Sequence, residues 1–199
     1  TFTTNVFKAS PVIWDRNIVK GSGIAQAVVV NSGIANACTG EEGDRYCQLT
    51  ADAAAEALGI NADAVLLGST GVIGMQLPID KMQAGAKKLS TLLASSTEAG
   101  TAAAQAIMTT DTHKKEIAYT FTVGGRTATI GGMAKGSGMI HPNMCTMLAY
   151  VTTDAAIAQP LLQKALSEIV VDSFNMISVD GDTSTNDTLL VLANGMAGN

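Results

Sequence analysis

Apolar and polar positions alternate along this chain in two rhythms, a two-residue period that predicts strands and a wider spacing that predicts helices. Thr1 to Phe7 alternates β-forming residues, and Pro11-Val12-Ile13-Trp14 continues in the same style. Gly21 to Gly23 breaks the pattern, after which Ile24 to Val30 (IAQAVVV) reads as a central strand leading into Asn31-Ser32-Gly33 and the small-residue turn IANACTG. From Glu41 to Gly59 the spacing is helical, with Leu49, Ala53 and Leu58 near one face and Gly59 as the stop. Ala64 to Gly68 (AVLLG) is a short strand ending at Ser69-Thr70-Gly71, and Pro78 opens a helix over about Ile79 to Leu93. A further helix runs from about Glu98 to Met108 and ends in Thr109-Thr110-Asp111-Thr112.

The rhythm then changes. Ile117 to Val123 and Arg126 to Ile130 flank Gly124-Gly125, a two-residue turn suited to tight antiparallel pairing. A glycine-rich loop follows, with Gly131, Gly132, Gly136 and Gly138, and feeds the apolar run MCTMLAYVTT, a buried strand. Pro160 to Val171 reads as a helix started by proline, Ser173 to Val179 as a strand, and Thr188 to Ala193 as a helix or a strand. Helices interleaved with strands and at least one antiparallel hairpin predict an α/β or α+β protein with a mixed sheet packed against helices.

Composition narrows the class. With 199 residues, 47 % of them hydrophobic and 15 % charged, the chain has the length and apolar content for one packed domain. The low charge density points to large buried faces, a subunit interface among them. A net charge of -5 without Lys/Arg clusters argues against nucleic acid and anionic membranes. No apolar stretch reaches transmembrane length, and TFTTNVFKAS has no signal-peptide character, so a cytoplasmic protein is expected. The start inside a β pattern, without methionine, and the loop-like ending AsnGlyMetAlaGlyAsn suggest a single but incomplete domain. Cys38, Cys47 and Cys145 are read as reduced thiols, two of them core fillers, and His113 and His141 lack metal-ligand spacing. Asp180, Asp182 and Asp187 do not meet the calcium-loop spacing and are read as capping and turn residues.

The segment that resists a core or surface reading is Gly131 to Thr153, where a flexible approach delivers Thr146 to the head of a strand. A threonine hydroxyl needs an activating base. Cutting the chain between Cys145 and Thr146 would supply one, because the new α-amine has an ordinary pKa of about 7.7–8.0. The cut itself would be attack of the Thr146 hydroxyl on the Cys145 carbonyl, followed by hydrolysis of the ester. Read without further context, Thr146 is simply a β-former in a strand, and Ser69-Thr70-Gly71 an ordinary strand-to-helix turn.

Five ordered blocks then carry a resemblance: NSGIANACTG (Asn31 to Gly40), STGVIG (Ser69 to Gly74), TTDT (Thr109 to Thr112), KGSGMIHPNMCTML (Lys135 to Leu148) and VDGDTSTND (Val179 to Asp187). Together they resemble the bifunctional ornithine acetyltransferase (glutamate N-acetyltransferase) family of cyclic arginine biosynthesis. The resemblance implies a self-cleaving N-terminal-nucleophile type of fold, DmpA/ornithine acetyltransferase-like, cut between 145 and 146. It implies acetyl transfer from N2-acetylornithine to glutamate through an acetyl-threonine on Thr146, with no cofactor and no metal, and leaves open acetyl-CoA as a second donor. Carried over by position, Thr146 is the nucleophile. Thr70 (hydroxyl) and Gly71 (backbone N–H) stabilise the oxyanion, and Lys135 and Thr109 contact substrate, with Thr110 the competing match for Thr109. Expected partners are the substrates and the protein's own β-chain, in a heterotetramer of two α and two β chains. Cys145 stands where the family usually has alanine, and the chain covers about the middle half of a family member. The rival readings are a related self-processing aminopeptidase and a non-catalytic fragment.

Overall fold

The computed structural model describes residues 1–139 and 147–199. The described residues form two sheets: β1 (Ala27–Ile34) runs parallel to β2 (Val65–Val72), and β3 (Lys115–Val123), β4 (Arg126–Lys135), β5 (Leu148–Thr153) and β6 (Thr188–Ala193) form a second sheet in that order. The β3–β4 and β4–β5 pairs are antiparallel and β5–β6 is parallel, so the second sheet is mixed as expected.

Strand alternation decides the layering. Val65 and Leu67 of β2 face one way and pack with Cys47, Ala51, Ala54 and Ala55 of helix α2 (Gly40–Leu58) and Ala86 of α3 (Ile79–Ser90). Leu66 faces the other way and meets Leu148 and Tyr150 of β5 and Leu190 of β6. Their neighbours Ala149 and Leu189 point to the far side of the second sheet, against Leu166 of α5 (Gln159–Ile169) and Val170. Helix, sheet, sheet and helix are thus stacked by a two-residue period read on three strands. Small residues on α2 let it lie close to the sheet, and Gly59 (φ 68°) ends it in the left-handed conformation, donating its N–H to Ala55. A fourth helix, α4 (Thr97–Ala106), is capped by Ser96, whose Oγ accepts the Ala99 N–H at 3.2 Å.

Four expected elements differ. Pro11-Val12-Ile13-Trp14 lies in helix α1 (Ser10–Lys20), not in a β segment. Proline sits in its first turn, and the buried positions Val12 and Asp15 are three apart, a helical spacing that the β-branched and aromatic residues masked. Of the β pattern at Thr1 to Phe7, only Phe2 bridges β6, opposite Thr188, with Thr1 and Leu189 exchanging backbone bonds beside it. Gly131 and Gly132 belong to β4 rather than to a loop, because the strands approach closely there. A Cβ on Gly132 would sit 3.1 Å from Val151 Cγ2 and 3.2 Å from the Tyr150 carbonyl oxygen. Ser173 to Val179 is not a strand. A single 3-10 turn at Phe174–Met176 satisfies its backbone locally, with Asn175 N–H bonded to Val170 and Met176 N–H to Ser173. Thr188 to Ala193 resolves to strand, and no helix among the described residues is long and apolar enough to cross a membrane.

Candidate functional site

The carboxyl end of β2 carries Ser69, Thr70 and Gly71, and a ring of buried polar contacts holds it. The Asn36 N–H donates to Ser69 Oγ at 2.8 Å, and Asn186 Nδ2 donates to the Ser69 carbonyl at 2.9 Å. Gly71 has φ 131° and stands opposite Gly33, so close that a Cβ would meet the Gly33 carbonyl carbon and oxygen at 2.2 Å. Glycine is required there on both counts. NSGIANACTG and STGVIG therefore meet in space, one block supplying the amide that fixes the other.

Lys135, the last residue of β4, is 4 % exposed, and its Nζ donates to Thr70 Oγ1 at 3.0 Å. Sixty-five positions separate the two residues. Burial lowers the Lys135 pKa, and Lys115 lowers it further, while Asp111 and Asp187 oppose the shift by attracting its charge. Because the ammonium takes a lone pair of the Thr70 hydroxyl, the hydroxyl proton remains free to donate, and it is the more acidic donor for carrying that bond.

Thr109 is exposed, and its N–H reaches Asp111 Oδ2 at 3.4 Å. Thr110 joins its hydroxyl to that of Ser137 at 2.7 Å. Asp111 ties this TTDT turn to the end of β4, since Oδ1 accepts the Gly136 N–H at 2.8 Å and the Lys115 ammonium at 2.6 Å. Its pKa is lowered even though burial pushes it upward, because the Lys115 ammonium and the Gly136 and Thr109 amides stabilise the anion. Thr109 and Lys135 are thus brought to one end of the sheet through Asp111.

Cys145, Thr146 and His141 lie outside the described residues. Met147, next in sequence after Thr146, donates its N–H to Asp187 Oδ1 at 3.0 Å, and Leu148 then pairs with Lys135 on one side and Thr188 on the other. Asp187 is 1 % exposed, and among the described residues its Oδ2 makes no hydrogen bond. Burial pushes its pKa up to about 8, opposed by the Met147 amide, the nearby Ser184 hydroxyl and the Lys135 charge. Sequence reasoning assigned Asp187 to turn chemistry. That reading holds for Asp180, whose carboxylate accepts the Met139 and Asp182 amides. Asn36, Asp111, Asn186 and Asp187 are the functional candidates that spacing alone did not separate from turn and cap residues.

Of the thiols, Cys47 is a buried core residue whose pKa burial raises to about 12, whereas Cys38 is exposed. A cavity of about 240 Å³ between α1, α5 and β6 has Leu162, Leu166 and Leu190 in its wall, but none of Thr70, Lys135 and Asp187 lines it. It is set apart from the polar cluster.

These features define a class: a layered helix–sheet–sheet–helix α/β protein with a buried lysine–threonine pair beside the head of a strand. The chain belongs to the ArgJ family, which matches residues 1–199. It is 57 % identical over 198 residues to the arginine biosynthesis bifunctional protein ArgJ of Symbiobacterium thermophilum, and 54 % identical over 200 residues to that of Lactococcus lactis. Each match covers 100 % of this chain but 48 % and 49 % of the relative, so the chain spans about half the length of the curated relatives it matches. Among solved structures, the ArgJ protein of Bacillus halodurans aligns at 41 % identity with a TM-score of 0.67, covering 74 % of each chain. The ornithine acetyltransferase of Mycobacterium tuberculosis, solved in complex with ornithine, aligns at 38 % identity and a TM-score of 0.64, covering 74 % of this chain and 75 % of that one.

Proposed function

We propose that this chain is the part of a glutamate N-acetyltransferase of arginine biosynthesis that contains the cleavage site and the nucleophile Thr146. The observation that carries the reading is the buried Lys135–Thr70 contact at 3.0 Å, on the strand end next to the one where Met147 is held by Asp187. A fold that buries an ammonium against a hydroxyl gives up solvation, and it gains a preorganised donor for developing negative charge.

In the proposed chemistry Thr146 Oγ attacks the Cys145 carbonyl carbon, the C–N bond breaks, and water hydrolyses the resulting ester. The products are a Cys145 carboxylate and a free Thr146 α-amine. That amine then takes the Thr146 hydroxyl proton as Oγ attacks the acetyl carbonyl of N2-acetylornithine. Thr70 Oγ1–H and the Gly71 N–H receive the oxyanion, and ornithine leaves with the proton. The α-amine of glutamate attacks the acetyl-threonine ester, releasing N-acetylglutamate and restoring the enzyme. Lys135 and Thr109 contact the amino-acid substrate, with the Lys135 charge suited to a carboxylate. No cofactor enters either half-reaction, since the acetyl group waits on Thr146. The cytoplasm, the assembly of two α and two β pieces and acetyl-CoA as a second donor belong to the same reading, supported by the family alone.

Intact-protein mass spectrometry on a family-length protein carrying this sequence, and on its Thr146→Ala variant, tests the proposal. Two pieces in the parent with a new N-terminus at Thr146, one uncut piece in the variant, and acetyl transfer from N-acetylornithine to glutamate in the parent are expected. An uncut, inactive parent overturns it, and acetyl release to water without transfer to glutamate assigns the site to a hydrolase instead.

A further inference from the structure

Asn186 and Asp187 are adjacent in sequence and reach two different strand ends. Asn186 Nδ2 binds the Ser69 carbonyl at 2.9 Å, immediately before Thr70 and Gly71, and Asp187 Oδ1 binds the Met147 amide at 3.0 Å, immediately after Thr146. Both side chains are buried, at 7 % and 1 % exposure. The backbone around them is fixed as well: Thr3 N–H donates to the Asp187 carbonyl and Thr188 N–H to the Met147 carbonyl. Two bonds from one dipeptide therefore set the distance between the end of β2 and the head of β5.

Asp187 does more than a stapling residue requires. An asparagine in its place could accept the Met147 amide equally well. The carboxyl instead leaves Oδ2 buried with no hydrogen bond among the described residues, an arrangement that disfavours the charged form. The groups that act on it are the Ser184 hydroxyl on its own segment, the Met147 amide just before β5, and the Lys135 ammonium at the end of β4. Lys135 in turn donates to Thr70 Oγ1 at 3.0 Å, which links the Asp187 carboxyl to the residue pair proposed to receive the oxyanion.

We infer that Asp187 is a positioning residue for the cleavage before Thr146, holding the head of β5 against the Thr70–Gly71 turn and setting the charge there through its own ionisation. The inference rests on the function proposed above. The burial that raises its pKa to about 8 makes the ionisation fall in the working range.

The test follows cleavage of freshly folded, family-length precursor from pH 5 to 9 by intact mass, because the uncut precursor has no Thr146 α-amine to confuse the profile. Asp187→Asn keeps an acceptor for Met147 but removes the ionisation. It is expected to cleave within about fivefold of the parent near pH 7 and to lose the parent's pH dependence across that window. Asp187→Ala removes both and is expected to cleave at least tenfold more slowly. If Asp187→Ala fails to fold, as judged by its Tm, the profile of Asp187→Asn still decides. A parent that cleaves and transfers acetyl while Asp187→Asn keeps the parent's pH profile overturns this inference alone. A parent that does neither overturns the function proposal and this inference with it.

Discussion

At the scale of single residues, Thr70 and Gly71 should fail in different ways, although one oxyanion is proposed to use both. Thr70→Ala removes a donor and leaves the Lys135 ammonium buried without its 3.0 Å partner. Loss of one such donor lowers kcat by roughly 10²–10³-fold in other enzymes, and the same loss is expected here in acetyl transfer with the fold retained. Gly71→Ala is a backbone lesion. Its φ of 131° is strained for any residue with a Cβ, and the Cβ would meet the Gly33 backbone at 2.2 Å. Strained φ and overpacking each cost about 1–3 kcal/mol, so a lower Tm should accompany lost activity. Paired kinetics and melting curves check this, and a Thr70→Ala protein with parental kcat would remove Thr70 from the proposed machinery. The roles proposed for Thr70 and Lys135 come only from the matching blocks. Their contact was not, since nothing in the spacing of residues 65 apart brings a β2 hydroxyl to a β4 ammonium. Asp187 was misread for a related reason: an acid in a run of Gly, Asp, Thr and Ser reads as turn chemistry, and burial is a tertiary property.

At the scale of elements, a local pattern was readable where one period ruled and misleading where two competed. Helix α2 and the Gly124-Gly125 hairpin follow their local signals closely, whereas β1 and β2 run on through the turns expected at Asn31-Ser32-Gly33 and Ser69-Thr70-Gly71, because those residues pair with one another across the two strands. In α1 a run of proline, valine, isoleucine and tryptophan outweighed the helical spacing of Val12 and Asp15, and in β4 Gly131 and Gly132 looked like breakers although close strand approach demands them. Gly68 shows the same logic between sheets. A Cβ there would lie 1.9 Å from the Tyr150 hydroxyl, itself buried without a partner among the described residues. Gly68→Ala should therefore destabilise by about 1–3 kcal/mol as β2 is pushed from β5. Tyr150→Phe deletes the obstructing atom and an unpaired polar group at once. It should be nearly neutral by itself and recover most of the loss in the double variant. Denaturant melts of the three proteins measure the coupling, and additive effects would mean that the two residues do not press on each other.

At the scale of the whole molecule, Asp15 links what the layers separate. It lies on α1, its Oδ1 accepts the Leu67 amide of β2 at 2.8 Å, and among the described residues its Oδ2 has no partner. Burial raises the Asp15 pKa well above its ordinary 3.8, against the Leu67 bond. Above pH 4 the unfolded chain releases the Asp15 proton while the folded chain keeps it, so the Asp15 contribution is full below that pH and declines as pH rises. Asp15→Asn removes this effect and retains an acceptor for Leu67. Its Tm relative to the parent should therefore become more positive from pH 5 to pH 8. Each pH unit in which the two states differ by one proton is worth about 1.4 kcal/mol, or about 3–6 °C for a chain of this size. A constant difference in Tm between the two pH values would mean that Asp15 ionises as readily in the folded protein as in the unfolded chain. The contact between α1 and β2 would then be held by an anion, and Oδ2 would be a charged oxygen sealed in the core.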